Sequence, residues 1–136
     1  MPTTFHNIAG RPAPPPGSSH VSVATGGRIV HLSGQPGTDA EGAVVPGGLA
    51  AQMERALDNV ALALAEAGAR PEDIVKTTLY VVDWDVAKLD ALVQGTVAAR
   101  GRHAFADAPV TLIGVSCLFT PDMLVEVDVV AVADGG

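Results

Sequence analysis

The amino-acid sequence predicts an α+β fold in which two helices cover one face of a mixed sheet. Two segments repeat apolar residues at helical spacing, and five short runs carry the β-branched residues that strands favour. The predicted order is ββαβαββ. A step from strand to strand across a helix favours parallel pairing, whereas consecutive strands at either end favour antiparallel hairpins. We therefore expect a sheet with both kinds of pairing.

Length and composition predict a single domain over residues 1–136, with 48% hydrophobic residues to build one core. The formal net charge of −7 argues against nucleic acid and anionic membranes as partners. Cys117 is the only cysteine, which excludes an internal disulfide and agrees with a reducing compartment. No signal peptide or membrane-length apolar run is recognisable, so a cytoplasmic location is expected.

The N-terminal third is predicted to form an arm and a hairpin. Residues 1–17 are expected to be an extended arm, because prolines crowd its end and remove backbone donors. Residues 19–25 and 28–33 are strand-like, and Gly26-Gly27 between them suits a type I′ turn. The following Ser-Gly-Gln-Pro-Gly segment, residues 33–37, ends the strand and lacks the pattern of a phosphate loop.

The remaining elements follow from periodicity. The first helix should end near Gly68 and bury Leu49, Met53, Leu57, Val60, Ala61 and Leu64, with Gln52, Glu54, Arg55 and Asp58 on another face. Residues 74–82 have a strong strand composition. Asp85 is a candidate N-cap for a second helix that stops by Gly101 and has Val86, Leu89, Leu92, Val93 and Val97 on its apolar side. Strands at 110–115 and 124–132 complete the chain.

Two helices can cover only one face of this sheet. The other face is expected to carry Val, Leu and Ile, which a monomer would leave in water. A homo-oligomer that packs this face against its own copies removes the exposure.

Glu126 and Asp128 form the most interesting pair of polar residues. Residues two apart on a strand point to the same face, about 6–7 Å apart, and the apolar residues between them point to the core. If Leu118 and Phe119 shield Glu126, desolvation would raise its pKa toward the range of a general acid or base. An ordinary solvated strand face is the alternative.

His20 and Cys117 are further candidates. His20, at the start of the first strand, could bind a small substrate or move a proton, or it could simply be half exposed. The apolar surroundings of Cys117 favour a buried structural thiol over a nucleophile. No His or Cys has the spacing of metal ligands, so no metal site is expected.

Four segments in order resemble the Rid family (reactive intermediate deaminases, or YjgF-like proteins) over nearly the whole chain. They are the segment from Gly27 to Gln35, the helix segment Ala50 to Val60, the strand Asp73 to Tyr80, and Leu124-Val125-Glu126-Val127. The resemblance implies a chorismate-mutase-like fold, a homotrimer with clefts between subunits, and cofactor-free hydrolysis of a small reactive imine or enamine.

The resemblance also implies roles for individual residues. Glu126 would be catalytic and orient water, and His20 would take the place of a tyrosine. Contacts to the substrate are expected from Gly34, Val110, Thr111, Cys117, Leu118 and Phe119.

Val110 departs from the pattern, because it stands where the family has an arginine that binds a substrate carboxylate. Such a charge-assisted contact contributes about 1.5–3 kcal/mol, and valine cannot replace it. A neutral or more apolar imine is therefore the expected substrate. Two alternatives are another acid/base step, such as a cyclisation or rearrangement in a specialised pathway, and a non-catalytic trimer that binds a small ligand.

Overall fold

The computed structural model describes residues 3–135. Its helices are α1 (Gly48–Glu66) and α2 (Leu89–Arg100), with 3₁₀ turns at Pro71–Asp73 and Val86–Lys88. Its strands are β1 (Thr3–His6), β2 (Val21–Ala24), β3 (Arg28–His31), β4 (Gln35–Pro36), β5 (Ile74–Val82), β6 (Val110–Val115) and β7 (Val125–Ala133).

The main sheet is mixed, as predicted. Its strand order is β3-β7-β5-β6, and β4 pairs with a second stretch of β7. β5 and β6 run parallel across the α2 connection, while β7 is antiparallel to β3, β4 and β5. The α+β fold class and the parallel step across α2 are therefore confirmed.

Both predicted hairpins are wrong. Gly26 and Gly27 do adopt positive φ, at 67° and 80°. In the described part of the chain, however, β2 pairs with β1 in a separate two-stranded sheet, and β3 pairs with β7. Likewise β7 does not pair with β6, since β5 lies between them. The expected extended arm thus contains a strand, Thr3–His6, which gives β2 a partner outside the predicted hairpin.

The core lies between β7 and α1. Val125, Val127 and Val129 alternate with half-buried residues and are at most 1% exposed, as the strand pattern predicted. Val60 and Leu64 of α1 are fully buried in the same cluster. Each of these side chains contributes about 1.5–3 kcal/mol by leaving water, so β7 and α1 together form a stable centre of the core.

The predicted buried face of α2 is wrong. Leu92 is buried, but Val86 is 74% exposed and Val97 is 63% exposed. Helix α2 instead contacts α1 through small residues, because a Cβ on Gly95 would lie 2.5 Å from the Ala50 carbonyl oxygen. Close approach of the two backbones thus decides which face is buried.

Gln52 also lies on the other side of α1 from the one expected. It is 4% exposed. Its side chain donates to the Asp122 carbonyl (3.0 Å) and accepts from the Leu124 amide (2.8 Å). Gln52 therefore fixes the segment that leads into β7.

Candidate functional site

The sheet face away from the helices is less apolar than expected. In the strand register, Lys76, Thr78 and Tyr80 share this face with Glu126 and Asp128. The face also carries apolar side chains, namely Ile29, Val82, Ile113, Val115, Val130 and Val132. We call this surface the open face. The polar residues of β5 and β7 on this face form a row that the sequence did not reveal. Alternation shows which residues of one strand share a face, but it does not show which strand lies beside it.

Glu126 lies directly against Gly34. A Cβ built on Gly34 would overlap the Glu126 carboxylate and would lie 2.6 Å from its Cγ. Tyr80 is the cross-strand partner of Glu126 on β5, and Pro36 is its partner on β4. Within residues 3–135 the Glu126 carboxylate has no hydrogen bond or ion pair. Glu126 therefore presents a half-buried carboxylate with free acceptor capacity.

Val110 and Thr111 begin β6 at the opposite edge of the sheet. Thr111 pairs with Thr78 and so shares the open face, whereas Val110 pairs with Thr77 and points to the other face. Since β5 separates β6 from β7, Thr111 lies two strand spacings, roughly 9–10 Å, from Asp128, and Glu126 is two residues farther along β7. A single chain does not place Val110 beside Glu126.

His20 lies in a third location. Its Nδ1 accepts a hydrogen bond from the Ile8 amide at 3.0 Å, which leaves the hydrogen of a neutral imidazole on Nε2. Two residues later, the Ser22 hydroxyl donates to the Val75 carbonyl near the beginning of β5. Glu126 pairs five residues farther along β5, so the two predicted catalytic residues are not in contact within one chain.

The segment between β6 and β7 projects into solvent. Phe119 is 92% exposed, and Cys117 is exposed with a free thiol. The buried, structural interpretation of Cys117 is therefore wrong. Leu118 is half-buried. Phe119 cannot shield Glu126 within its own chain, so the expected desolvation by this side chain is not present.

A polar cluster joins α1 to the chain that follows α2. Arg102 donates two hydrogen bonds to the Asp58 carboxylate and forms an ion pair with Glu54, while His103 Nε2 lies 2.8 Å from Asp58 Oδ1. Partial burial alone would raise the pKa of Asp58. The hydrogen bonds from His103 and Arg102 and the charge of Arg102 outweigh burial and hold this pKa below its ordinary value.

Among residues 3–135 there is no group of three or more His, Cys, Asp or Glu side chains that could hold a metal ion. In the same range, neither helix combines the length and the apolar character needed for a membrane span.

Comparisons with known proteins identify the family. The family model described as Endoribonuclease L-PSP matches residues 11–133. A 2-iminobutanoate/2-iminopropanoate deaminase of Escherichia coli K12 is 32% identical over 111 residues, 78% of this chain and 80% of that protein. The mouse protein of the same name is 33% identical over 88 residues; the match spans 60% of this chain and 65% of the mouse protein.

Solved structures point to the same family. A Rid family protein of unknown function from Yersinia pestis superposes with a TM-score of 0.85 at 32% identity, covering 98% of this chain and all of that one. The YjgF gene product of E. coli gives a TM-score of 0.68 at 26% identity, with 95% and 98% covered. The match to the family model, the sequence identity to the E. coli deaminase and the similarity of fold together show that the chain belongs to the Endoribonuclease L-PSP (YjgF/Rid) family.

Proposed function

We propose that this protein is a cofactor-free imine deaminase that hydrolyses a small reactive imine or enamine lacking a carboxylate. The observation that carries the proposal is the Glu126 carboxylate, which lies against Gly34 with unused acceptor capacity on a half-buried face. Relatives named 2-iminobutanoate/2-iminopropanoate deaminase support the reaction class.

The proposed chemistry is a proton transfer by Glu126. The carboxylate accepts a proton from water as the water oxygen bonds to the imine carbon, and it then passes this proton to the imine nitrogen, which gives a carbinolamine. Glu126 next transfers the carbinolamine hydroxyl proton to the amine nitrogen, the C–N bond breaks, and ammonia and a carbonyl product are released. His20 Nε2–H and the Gly34 backbone serve as polar contacts. Val110, Leu118 and Phe119 form the apolar wall, with Thr111 and Cys117 at its border.

We further propose that the site is completed between subunits of a homotrimer in the cytoplasm. Glu126, His20 and Val110 lie apart within one chain, and the exposed Phe119 is available to a neighbour. An assembly that brings β4, which lies beside Glu126, of one copy to the β6 edge of the next would bring Glu126 close to Val110. The apolar part of the open face supports such packing.

A turnover assay tests the assignment of Glu126. Imines generated in situ, 2-iminobutanoate and a neutral imine of similar size, are followed through ammonia release. We expect Glu126→Gln to lose at least about a hundredfold in rate, since general acid–base catalysis contributes 10²–10⁴. Glu66→Gln, an exposed acid on α1, is the control and should match the wild type.

The same assay measures which of the two imines the protein hydrolyses faster. The wild type should prefer the neutral imine, and Val110→Arg should move the preference toward 2-iminobutanoate by supplying a guanidinium. Unchanged turnover in Glu126→Gln would refute its role. Equal rates of wild type and Val110→Arg on 2-iminobutanoate would refute the substrate argument.

A further inference from the structure

The open face carries a positive charge at one edge of the sheet. Lys76 Nζ donates a hydrogen bond to Thr111 Oγ1 at 2.6 Å, so this side chain reaches from β5 to β6, the strand at that edge. An ammonium group has several donors, and this bond occupies only one of them. Within residues 3–135 Lys76 has no acidic partner. The β6 edge therefore presents an ammonium group with unused donors.

The negative charge of Glu126 lies toward the opposite edge. Its carboxylate occupies the space over Gly34, in the connection between β3 and β4, where a Cβ would overlap it. Pro36 of β4 is its neighbour on that side. In the described part of the chain this carboxylate has no ion pair either. Lys76 and Glu126 thus point to opposite edges of one sheet, each without a partner of opposite charge.

The two charges are too far apart to pair within one chain. In the register of β5 and β7, Lys76 lies opposite Val130, whereas Glu126 lies opposite Tyr80. Four residues along a strand span about 13 Å. The Lys76 side chain also turns away from β7, because it is bonded to Thr111 on the other side of β5.

A neighbouring copy removes this separation. Thr111 follows Val110 on β6 and is bonded to Lys76. An assembly that brings Glu126 of one copy close to Val110 of the next therefore also brings it close to the ammonium group. The positive edge of one copy then meets the negative edge of the next, which is a head-to-tail contact with complementary charges, and contacts of this kind can close into a ring.

The other titratable groups of the open face do not replace this ammonium group. Those nearest to Glu126 in the described chain are Asp128 on β7, Tyr80 on β5 and His31 on β3. Residues 32–36, which contain β4, carry no titratable side chain. The charge of Asp128 favours the protonated form of Glu126, whereas an adjacent ammonium group favours the carboxylate, which is the form that accepts a proton from water.

We propose that Lys76 of one subunit forms an ion pair with Glu126 of the next and is the positioning residue that holds this carboxylate in its charged form. Thr111 fixes the ammonium group at the cleft by accepting its hydrogen bond. The inference rests on the proposed function and deepens it, because the second subunit then contributes a residue that acts on the catalytic base.

Zero-length chemical coupling tests the contact without any turnover. A water-soluble carbodiimide joins an amine to a carboxylate that touches it, and mass spectrometry of the digest identifies the joined peptides. Isotopically heavy and light protein are mixed by unfolding and refolding, so a joined pair with one heavy and one light member comes from two subunits. We expect Lys76–Glu126 amides of this mixed kind.

The chain offers matched controls for the coupling. Glu126→Gln and Lys76→Arg should each abolish the amide, because the reaction needs a carboxylate and a primary amine. The other lysine of the chain, Lys88, donates to the carbonyls of Val82 and Asp83 and should form no amide with Glu126.

The pH dependence of imine turnover measures what the pair does. The acid limb of kcat/KM reports the pKa of the catalytic base in the free protein. Lys76→Met should move this limb to higher pH by about one unit or more, because a nearby opposite charge lowers the pKa of a carboxyl group. Lys76→Arg keeps the charge and should stay close to the wild type.

Arg55→Gln is the control for charge, because it removes a cation from α1 on the other side of the sheet and should leave the limb unchanged. Far-ultraviolet circular dichroism verifies that each variant is folded, and Lys76→Gln replaces Lys76→Met if the latter does not fold.

The outcomes separate this inference from the proposed function. If the Lys76–Glu126 amide joins two subunits while no imine is hydrolysed, the deaminase proposal fails and the contact stands. If imines are hydrolysed but the amide is absent, forms only within one chain or joins Lys76 to Asp128 instead, the contact is refuted. An unshifted acid limb in a folded Lys76→Met variant would refute the positioning role.

Discussion

Glycine at position 34 is required by the side chain that lies over it. The backbone of Gly34 is not in the left-handed region, so conformational freedom does not explain the residue. The Glu126 side chain occupies the space that a Cβ would need. Position 34 and position 126 are thus coupled sterically, because the absence of a side chain at Gly34 leaves room for the Glu126 carboxylate beside the β3–β4 connection.

Gly34→Ala should therefore act on Glu126. The added methyl group must displace the carboxylate, and imine turnover should fall by at least about tenfold, since small displacements of catalytic groups cost up to a hundredfold. The melting temperature should change little if only the side chain moves. Gly135→Ala is the matched control, because a Cβ there would meet its nearest atom at an ordinary 3.6 Å. Full activity in Gly34→Ala would show that the contact does not position Glu126.

At the level of elements, β7 is the centre of the molecule although it is the last strand in the chain. It pairs with β3 and β4 on one side and with β5 on the other. Gln52 of α1 binds both Asp122 and Leu124 immediately before β7 begins. This tertiary contact helps to explain why the chain passes beyond β6 instead of turning back to form a hairpin with it.

A second connection between elements depends on pH. Asp58 of α1 binds Arg102 and His103 beyond α2, and its pKa lies below its ordinary value near 3.9. Because the folded pKa is below the unfolded value, the contacts stabilise the protein above about pH 4, and this contribution disappears as the pH falls through the folded pKa.

Asp58→Asn should consequently lower the free energy of unfolding by about 1–2 kcal/mol at pH 7, the range for hydrogen bonds to charged groups near a surface. Near pH 3 the difference from the wild type should be smaller, because that pH lies below the unfolded pKa of Asp58. Urea unfolding at both pH values measures it, with the exposed Glu41→Gln as a control. An equal loss of stability at pH 7 and pH 3 would mean that the Asp58 charge is not responsible.

For the whole molecule, the open face determines the expected assembly. Val130 and Val132 on β7 and the exposed Ile29 on β3 form its apolar end, next to the polar row. Burial of the apolar end between copies would stabilise a trimer, and the polar row would then border the clefts.

Sedimentation velocity tests this assembly. The wild type should sediment as a species of three times 13.8 kDa. Val132→Lys should dissociate it, since an unpaired charge in an apolar contact is strongly unfavourable. Leu62→Lys, at a 68% exposed position on α1, should leave the trimer intact. A monomeric wild type, or a trimer that tolerates Val132→Lys, would exclude packing through this face.

Residue pattern was enough to predict the fold class, the bounds of β5 and β6, and the alternation that places Glu126 and Asp128 opposite the core. These are local properties, because strand and helix periodicity depends on neighbouring residues. The central place of β7, the packing of α2 through Gly95, and the position of Gly34 and Tyr80 beside Glu126 became visible in the folded chain alone. Those relations join residues far apart in the chain, where packing of backbones and side chains, rather than local pattern, selects the partner.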